Sequence, residues 1–438
     1  MIAELRRQLS EIWAHSDRLF DLVPSSAWSE RPIDLRHPLL FYVGHLPAFA
    51  WNQVARSVLG LGHLNEEFDE LFAFGIDPVD EDGVPAAVEW PPVEAVLEYR
   101  DLAREQLLDL VEAVVDWPVD DLMARNGRIF QVVFEHECMH HETLQYMLQQ
   151  LDPALKRRPA DMEDYRFERG CDSRLVEVPG GEVVLGAEFS AIEFGWDNEF
   201  PSHRVTVDDF AISNTLVTNG DWHDFVCDDG YRRALLWRPE DWAWRNRFGL
   251  QHPVTWRKPG DSYRLRTLFD ELDLELTAHW PVAVSLAEAR AYCRWKGVRL
   301  PTEAELHRAL YGAPGTEQRI YPWGDAAPNA GVHGNFGFAN WAPTPVGDHP
   351  VGASAWGIED PVGSLWQWTS SSFVGFPGFE AYMPGYRGYS ADFFDDRHFV
   401  MLGASWATSP RFIRRSFRNW FQDRYPYVFA GFRTVERS

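Results

Sequence analysis

Two histidines spaced four residues apart are the residues in this chain most suited to chemistry. They lie in the segment HECMHHE, which begins at His136 and contains His140. On a helix, residues at this spacing lie on one face, so both imidazoles can point at one ion. Three histidines and two glutamates within seven residues of an otherwise apolar stretch would be costly to bury without a partner. The segment therefore predicts metal binding.

The same segment matches the H-E-x-x-H pattern of zinc hydrolases. In that interpretation Glu137 is the general base, and a downstream Glu, Asp or His completes the site. Thr143 stands where the Gly of the extended pattern is expected, and Glu163 lies in a polar segment with no evident helix. A zincin-like metallohydrolase is therefore the alternative from another class of enzyme.

His45 is the better candidate for a third ligand. It lies in the middle of the strongly apolar stretch LLFYVGHLPAFAWNQ, where an imidazole without a partner would need an explanation. Three neutral imidazoles leave up to three positions open on an octahedral Fe(II), but the same ligands also suit Zn, Cu and Ni. Glu142 has two open interpretations, as an acceptor for the N–H of a ligand histidine or as a solvated helix charge.

The elements that must position these residues differ between the two halves of the chain. With 438 residues, the chain predicts two domains. Residues 1–150 show helical periodicity and predict a four-helix bundle, in which the long segment 74–92 is a functional loop. Residues 151–172 are polar and predict a linker. Residues 173–438 alternate as short strands with a few helices and dense turns, so the expected fold class is α+β.

The composition of the chain excludes some classes of binding partner and indicates a cellular compartment. Lys and Arg total 41 against 66 for Asp and Glu, a net charge of −25, which predicts no nucleic acid partner and no anionic membrane partner. No apolar run approaches the ~18 residues of a spanning helix. The four cysteines contain no C-x-x-C pair and predict free thiols in a reducing compartment. We expect a cytoplasmic protein.

Several motifs taken in order resemble one family. GHLPAF followed by HECMHHETLQYM resembles the ligand segments of the DinB-like domain in the ergothioneine and ovothiol sulfoxide synthases. VPGGEVVLGA, RLPTEAELHRAL, YPWGD, DPVGSLWQWTSS and RNWFQDRYPYVFAGFR resemble the formylglycine-generating-enzyme fold, a C-type-lectin-like domain. The resemblance implies a DinB-like iron-binding bundle over 1–150 and a formylglycine-generating-enzyme-like substrate-pocket domain over 173–438.

The resemblance also implies a cofactor and a substrate. It makes His45, His136 and His140 the ligands of Fe(II), and it places Asn419 and Trp420 in the pocket for hercynine, the trimethylated histidine. Aromatic faces suit a quaternary ammonium group, although ordinary core packing also accounts for a tryptophan.

The resemblance further implies that a tyrosine near the iron delivers a proton or an electron during oxygen activation. The stretch FEAYMPGYRGYSADFF offers Tyr382, Tyr386 and Tyr389. Spacing alone does not select one of them, and the first two are the candidates.

Departures from the family pattern bear on the second substrate. Phe421 and the following QDRY stand where mycobacterial-type ergothioneine synthases have an Asp and an Arg for γ-glutamylcysteine, and Met139 stands where a Gln contacts hercynine. Met139 and Phe421 are therefore predicted to contact substrates. The combination of LRHPLLFYVGHLPAF, FDELFAFGIDP and RNWFQDRYPYVFAGFR looks closest to the selenoneine synthase branch, which uses a selenosugar.

The predicted function is Fe(II)- and O2-dependent formation of a C–Se or C–S bond on hercynine. An ergothioneine-type sulfoxide synthase using cysteine or γ-glutamylcysteine is the alternative within the family. A formylglycine-generating enzyme is disfavoured because no cysteine follows Cys293, and a non-catalytic lectin-like module remains a further alternative.

Overall fold

The computed structural model describes residues 1–73, 88–168, 170–315 and 318–436. The chain divides into two compact units. Unit 1 consists of Met1–Ala160 together with the short segment Tyr382–Arg387, and unit 2 consists of Asp161–Ala381 and Gly388–Ser438. The change of unit at Ala160 falls within the segment 151–172, and most of the predicted loop 74–92 lies outside the described residues.

Unit 1 is helical. Its α-helices are α1 (Ile2–Phe20), α2 (Leu39–Trp51), α3 (Glu66–Leu71), α4 (Val93–Glu112) and α5 (Ile129–Gln150). The chain continues from α2 directly into a π-helix over Asn52–Val58, and a 3₁₀ turn over Pro384–Tyr386 also belongs to this unit.

Burial along these helices follows their sequence patterns. α1 is amphipathic and buries one stripe that includes Leu5, Leu9 and Leu19. α2 and α5 are buried almost all round, as expected for helices at the centre of a bundle. Both helices that carry the candidate ligands are therefore shielded from water.

Unit 2 is built from short strands. In chain order they are β1 (Leu175–Val178), β2 (Gly181–Leu185), β3 (His203–Val207), β4 (Phe210–Ser213), β5 (Trp256–Arg257), β6 (Arg264–Arg266), β7 (Glu271–Asp273), β8 (Trp366–Ser372), β9 (His398–Gly403), β10 (Asn419–Gln422) and β11 (Ala430–Gly431). β10, β9, β8 and β11 form one sheet in that order, with β11 parallel to β8 and the other pairs antiparallel. β1 pairs with β4, β2 with β3, and β6 lies between β5 and β7.

Three of the described α-helices of unit 2 begin with capping boxes. The α-helices of this unit are α6 (Asn219–Cys227), α7 (Pro239–Arg247), α8 (Leu286–Lys296), α9 (Glu303–Tyr311) and α10 (Gly388–Ala391). α8 and α9 start with capping boxes built on Ser285 and Thr302, as their SLAE and TEAE sequences indicate. α9 contributes Leu306 to a core shared with Val183 and Val400.

The α+β class predicted from the sequence is confirmed. None of the four cysteines forms a disulfide with another described residue, in agreement with the predicted thiols. Among the described residues, no helix is both long enough and apolar enough to cross a membrane.

Candidate metal centre

The structure brings His45, His136 and His140 together inside unit 1. One ligand nitrogen from each histidine lies within 4.8 Å of the other two, and all three side chains are buried. His136 and His140 come from successive turns of α5, and His45 comes from the middle of α2. The two helices thus supply a compact face of three imidazoles.

The spacing of the nitrogens suits a single ion. Nε2 of His136 and Nε2 of His140 lie 3.2 Å apart. Two imidazole nitrogens bound side by side to one transition metal at about 2.1 Å are separated by roughly 3.0–3.4 Å, depending on the coordination geometry. The Nε2 atom of His45 is buried without a hydrogen-bond partner among the described residues, as expected for a nitrogen reserved for an ion.

Burial also sets the protonation of this cluster. It lowers the pKa of His45 to about 4, and it lowers the pKa values of His136 and His140 well below the ordinary value of 6.5. Mutual repulsion between the imidazoles acts in the same direction. At neutral pH all three rings are therefore neutral and have a lone pair to offer to a metal.

A backbone carbonyl fixes the orientation of His45. Its Nδ1 lies 2.7 Å from the carbonyl oxygen of Phe72, so Nδ1–H donates and Nε2 stays available. The Phe72 ring packs closely against Gly44, where a Cβ would lie only 2.5 Å from a ring carbon. The glycine before His45 therefore allows the close approach on which this hydrogen bond depends.

An aromatic ring covers one ligand and leads to a candidate tyrosine. Phe49, one turn after His45, stacks on the His136 ring with centroids 3.4 Å apart and planes 7° apart. The Tyr386 ring lies 5.2 Å from Phe49 and 6.4 Å from His136, edge-on to both. Tyr382 instead lies beside the guanidinium of Arg128, 6.0 Å from its Cζ atom. The Tyr386 ring is thus in contact with His136, a candidate ligand.

Glu137 does not join the histidine cluster. Ser16 of α1 donates a hydrogen bond to its carboxylate over 2.5 Å, and the same hydroxyl lies 2.7 Å from Nε2 of His141. Burial raises the pKa of the Glu137 carboxyl. Glu137 is thus part of a buried contact between α1 and α5, an arrangement that weakens the zincin interpretation. Glu142 is also buried, so its interpretation as a solvated charge is wrong.

The remaining predicted contact residues are half-buried. Met139 lies on α5 beside His140. Asn419, Trp420 and Phe421 lie on β10 of unit 2.

Aromatic rings surround Trp420 within unit 2. Trp420 stacks on Phe373 with centroids 4.3 Å apart, and Tyr389 meets it edge-on at 5.0 Å. Phe421 stacks with Tyr425 at 5.4 Å. The strand itself is anchored by Arg418, whose Nε donates to Glu303 over 2.7 Å in the interior. Sequence reasoning missed this ion pair because its partners are far apart in the chain.

Sequence comparisons agree with this architecture. The profile of the DinB superfamily matches residues 8–144, and that of the sulfatase-modifying factor enzyme 1-like domain matches residues 165–438. Hercynine oxygenase of Mycolicibacterium smegmatis is 36% identical over 383 residues, which cover 85% of this chain and 84% of that protein. The chain belongs to the hercynine oxygenase family.

Two further relatives extend the comparison. Hercynine oxygenase of Mycobacterium tuberculosis is 39% identical over 315 residues, covering 70% of each chain. Ergothioneine biosynthesis protein 1 of Neurospora crassa is 29% identical over 513 residues, covering 97% of this chain and 56% of that protein. The family resemblance predicted from the ordered motifs is confirmed, and membership of the hercynine oxygenase family accounts for both domains of the chain.

Proposed function

We propose that this protein is an Fe(II)- and O2-dependent enzyme that joins selenium or sulfur to hercynine, at the imidazole carbon between the two ring nitrogens. The ring C–H and the Se–H or S–H of the donor are lost, and O2 accepts four electrons. One oxygen atom ends in a selenoxide or sulfoxide, and the other leaves as water. The observation that carries the proposal is the buried three-histidine cluster in a chain of the hercynine oxygenase family.

The histidine cluster fits an iron ion. His45, His136 and His140 would hold it, since imidazole nitrogens are suitable ligands for iron and all three rings are neutral at physiological pH. Bound there, iron would supply redox chemistry and a template for both substrates. The Phe72 carbonyl keeps Nε2 of His45 available, and the stacked Phe49 ring restricts rotation of His136.

Tyr386 is the proposed source of a proton or an electron at its hydroxyl oxygen. Its ring contact with His136 favours it over Tyr382, which lies beside Arg128. A phenol can both donate a proton and be oxidised, so one side chain could serve either step.

The hercynine pocket is assigned to Asn419 and Trp420. The Trp420 ring, with Phe373 stacked on one side and Tyr389 at its edge, offers the aromatic surface that a trimethylammonium group prefers. Asn419 could hydrogen-bond the carboxylate or the imidazole through its side-chain amide.

A selenosugar is the proposed donor because the charged groups that follow Phe421 are already paired. Asp423 lies 2.6 Å from Nη1 of Arg290, and Nε of Arg424 lies 3.3 Å from Asp423 and 3.5 Å from Asp241. An amino-acid thiol carries an ammonium and carboxylates that need opposite charges. A sugar needs only hydrogen bonds, so this charge pattern supports it over cysteine or γ-glutamylcysteine.

A donor competition tests the proposal. Anaerobic protein loaded with Fe(II) is mixed with hercynine and equal amounts of cysteine, γ-glutamylcysteine, a thiosugar and a selenosugar, and oxygen is then admitted. Mass spectrometry is expected to find the selenosugar adduct in excess. An excess of the γ-glutamylcysteine adduct would instead establish the ergothioneine-type alternative. The His45→Ala variant gives the background level of adduct. Wild-type protein that forms no adduct above this background would overturn the proposal.

A further inference from the structure

The short segment Tyr382–Arg387 is held by unit 1, although its neighbours on both sides in the chain belong to unit 2. Its 3₁₀ turn over Pro384–Tyr386 packs against the π-helix over Asn52–Val58. That π-helix continues directly from α2, the helix that carries His45. One continuous helical stretch thus contacts both the histidine cluster and the turn that carries Tyr386.

One hydrogen bond joins the two elements. The side-chain amide of Gln53 donates from Nε2 to the carbonyl oxygen of Gly385 over 3.1 Å, and Gln53 is only 8% exposed. Loss of this acceptor would leave a buried amide without a hydrogen bond, which costs free energy. The hydrogen bond therefore stabilises the turn in its position. Gly385 is the residue immediately before Tyr386.

The fit around Gly385 is tight. A Cβ at this position would lie 2.8 Å from the Cβ of Ser57, which side-chain rotation cannot move, and closer still to Oε1 of Gln53 and the hydroxyl of Ser57. The backbone of the turn can therefore approach the π-helix this closely only with glycine at position 385. Gln53 and Ser57 are four residues apart and face Gly385 together.

Both side chains belong to the π-helix over Asn52–Val58. Its amide hydrogen bonds skip one residue more than in an α-helix, as in the bond from Leu59 N to Val54 O over 3.2 Å. π-helical turns are rare and are frequently found at functional sites. Here the π-helix begins directly after α2 and forms the surface that contacts Gly385.

We propose that Gln53 and Gly385 are positioning residues that hold the Tyr386 ring against Phe49 and the metal-binding histidines. The ring lies 5.2 Å from Phe49 and 6.4 Å from His136, and the residue before it is pinned through its carbonyl. The catalytic consequence rests on the proposed function, in which Tyr386 delivers a proton or an electron. The placement of the ring does not depend on the proposed function.

The first test measures placement without metal or substrates. 3-Fluorotyrosine is incorporated at position 386, and its ¹⁹F signal is recorded in otherwise unchanged protein and in the variants Gln53→Leu, Gln53→Met and Gly385→Ala. Each variant is expected to shift or broaden the signal. Gln8→Leu on α1 is the matched control, because its side-chain amide donates to Glu4 on the same helix. An unchanged ¹⁹F signal in folded Gln53→Leu and Gly385→Ala protein would overturn the inference.

The second test is a double-mutant cycle on turnover. Misplacement of a reacting group by about 1 Å can cost roughly 100-fold in rate, so Gln53→Leu is expected to lower kcat at least tenfold with little change in KM. If Gln53 acts through the tyrosine, Gln53→Leu adds little to Tyr386→Phe. If the fold losses in kcat of the two single variants multiply in the double variant, the coupling between Gln53 and Tyr386 is refuted. If the ¹⁹F signal moves while Tyr386→Phe keeps full turnover, the positioning holds and the role of the tyrosine in the proposed function fails.

Discussion

The substitution Gly44→Ala is expected to weaken metal binding without touching a ligand. The new methyl group would lie 2.5–2.6 Å from three carbons of the Phe72 ring, where an ordinary contact needs about 3.5–4.0 Å. The ring must therefore move by about 1 Å. Phe72 is fully buried, so little free space is available to absorb that movement.

The movement has two measurable costs. Overpacking of this kind usually lowers the free energy of unfolding by about 1–3 kcal/mol. The Phe72 carbonyl also accepts the 2.7 Å hydrogen bond from Nδ1 of His45, and the loss of such a partner typically weakens a metal site by about 10–100-fold. Gly44→Ala should show both effects together.

The assay pairs a urea titration of the metal-free protein with Fe(II) competition against a chromophoric chelator under anaerobic conditions. Gly62→Ala is the matched control, because no described atom lies within 4 Å of a Cβ there and its φ is ordinary. If Gly44→Ala lost stability but bound Fe(II) as tightly as the wild type, the Phe72 carbonyl would not be the group that orients His45. If neither property changed, the packing argument itself would be wrong.

Three further predictions address the site and its surroundings. His45→Ala is expected to abolish stoichiometric iron binding, whereas Glu137→Gln should retain it, as shown by metal analysis; the reverse result would revive the zincin interpretation. Tyr386→Phe should lower the single-turnover rate after oxygen is admitted by at least tenfold, while Tyr382→Phe stays within about twofold, and equal losses would contradict the assignment. Burial raises the pKa of Asp197 to about 6 from 3.8, so the folded protein loses up to about 3 kcal/mol relative to the unfolded chain as pH rises from 4 to 7. Asp197→Asn should therefore gain stability over the wild type as pH rises through this range, and urea midpoints that show the largest gain at pH 4 would refute the sign.

Local periodicity and helix geometry were sufficient to anticipate part of the site. The four-residue spacing of His136 and His140 already placed both on one face of α5, and the apolar surroundings of His45 pointed to a ligand from a second helix. The structure does bring the three side chains together. That they hold iron stays a prediction.

Other features depend on how helices are rotated against one another. Glu137 and His141 have the same four-residue spacing as the two candidate ligands His136 and His140, so spacing alone cannot say which stripe of α5 faces α2. The contact of Glu137 with Ser16 on α1 settles that orientation in the structure. A sequence pattern does not predict such a contact, because the two residues are far apart in the chain.

The backbone groups near the site were also beyond sequence reasoning. A carbonyl such as that of Phe72 has no side-chain signature, and the π-helix after α2 has a sequence that reads as ordinary helix. The choice between Tyr382 and Tyr386 likewise required the tertiary contacts of the turn.

The assignment of Tyr382–Arg387 to unit 1 has a consequence for the order of biosynthesis. On the ribosome, residues 1–160 emerge long before this segment, and domains generally fold as they are made. A nascent chain can thus gather its three histidines early, while Tyr386 arrives only after residues 161–381 have been translated. Any oxygen chemistry that needs this tyrosine is thereby withheld from unfinished chains.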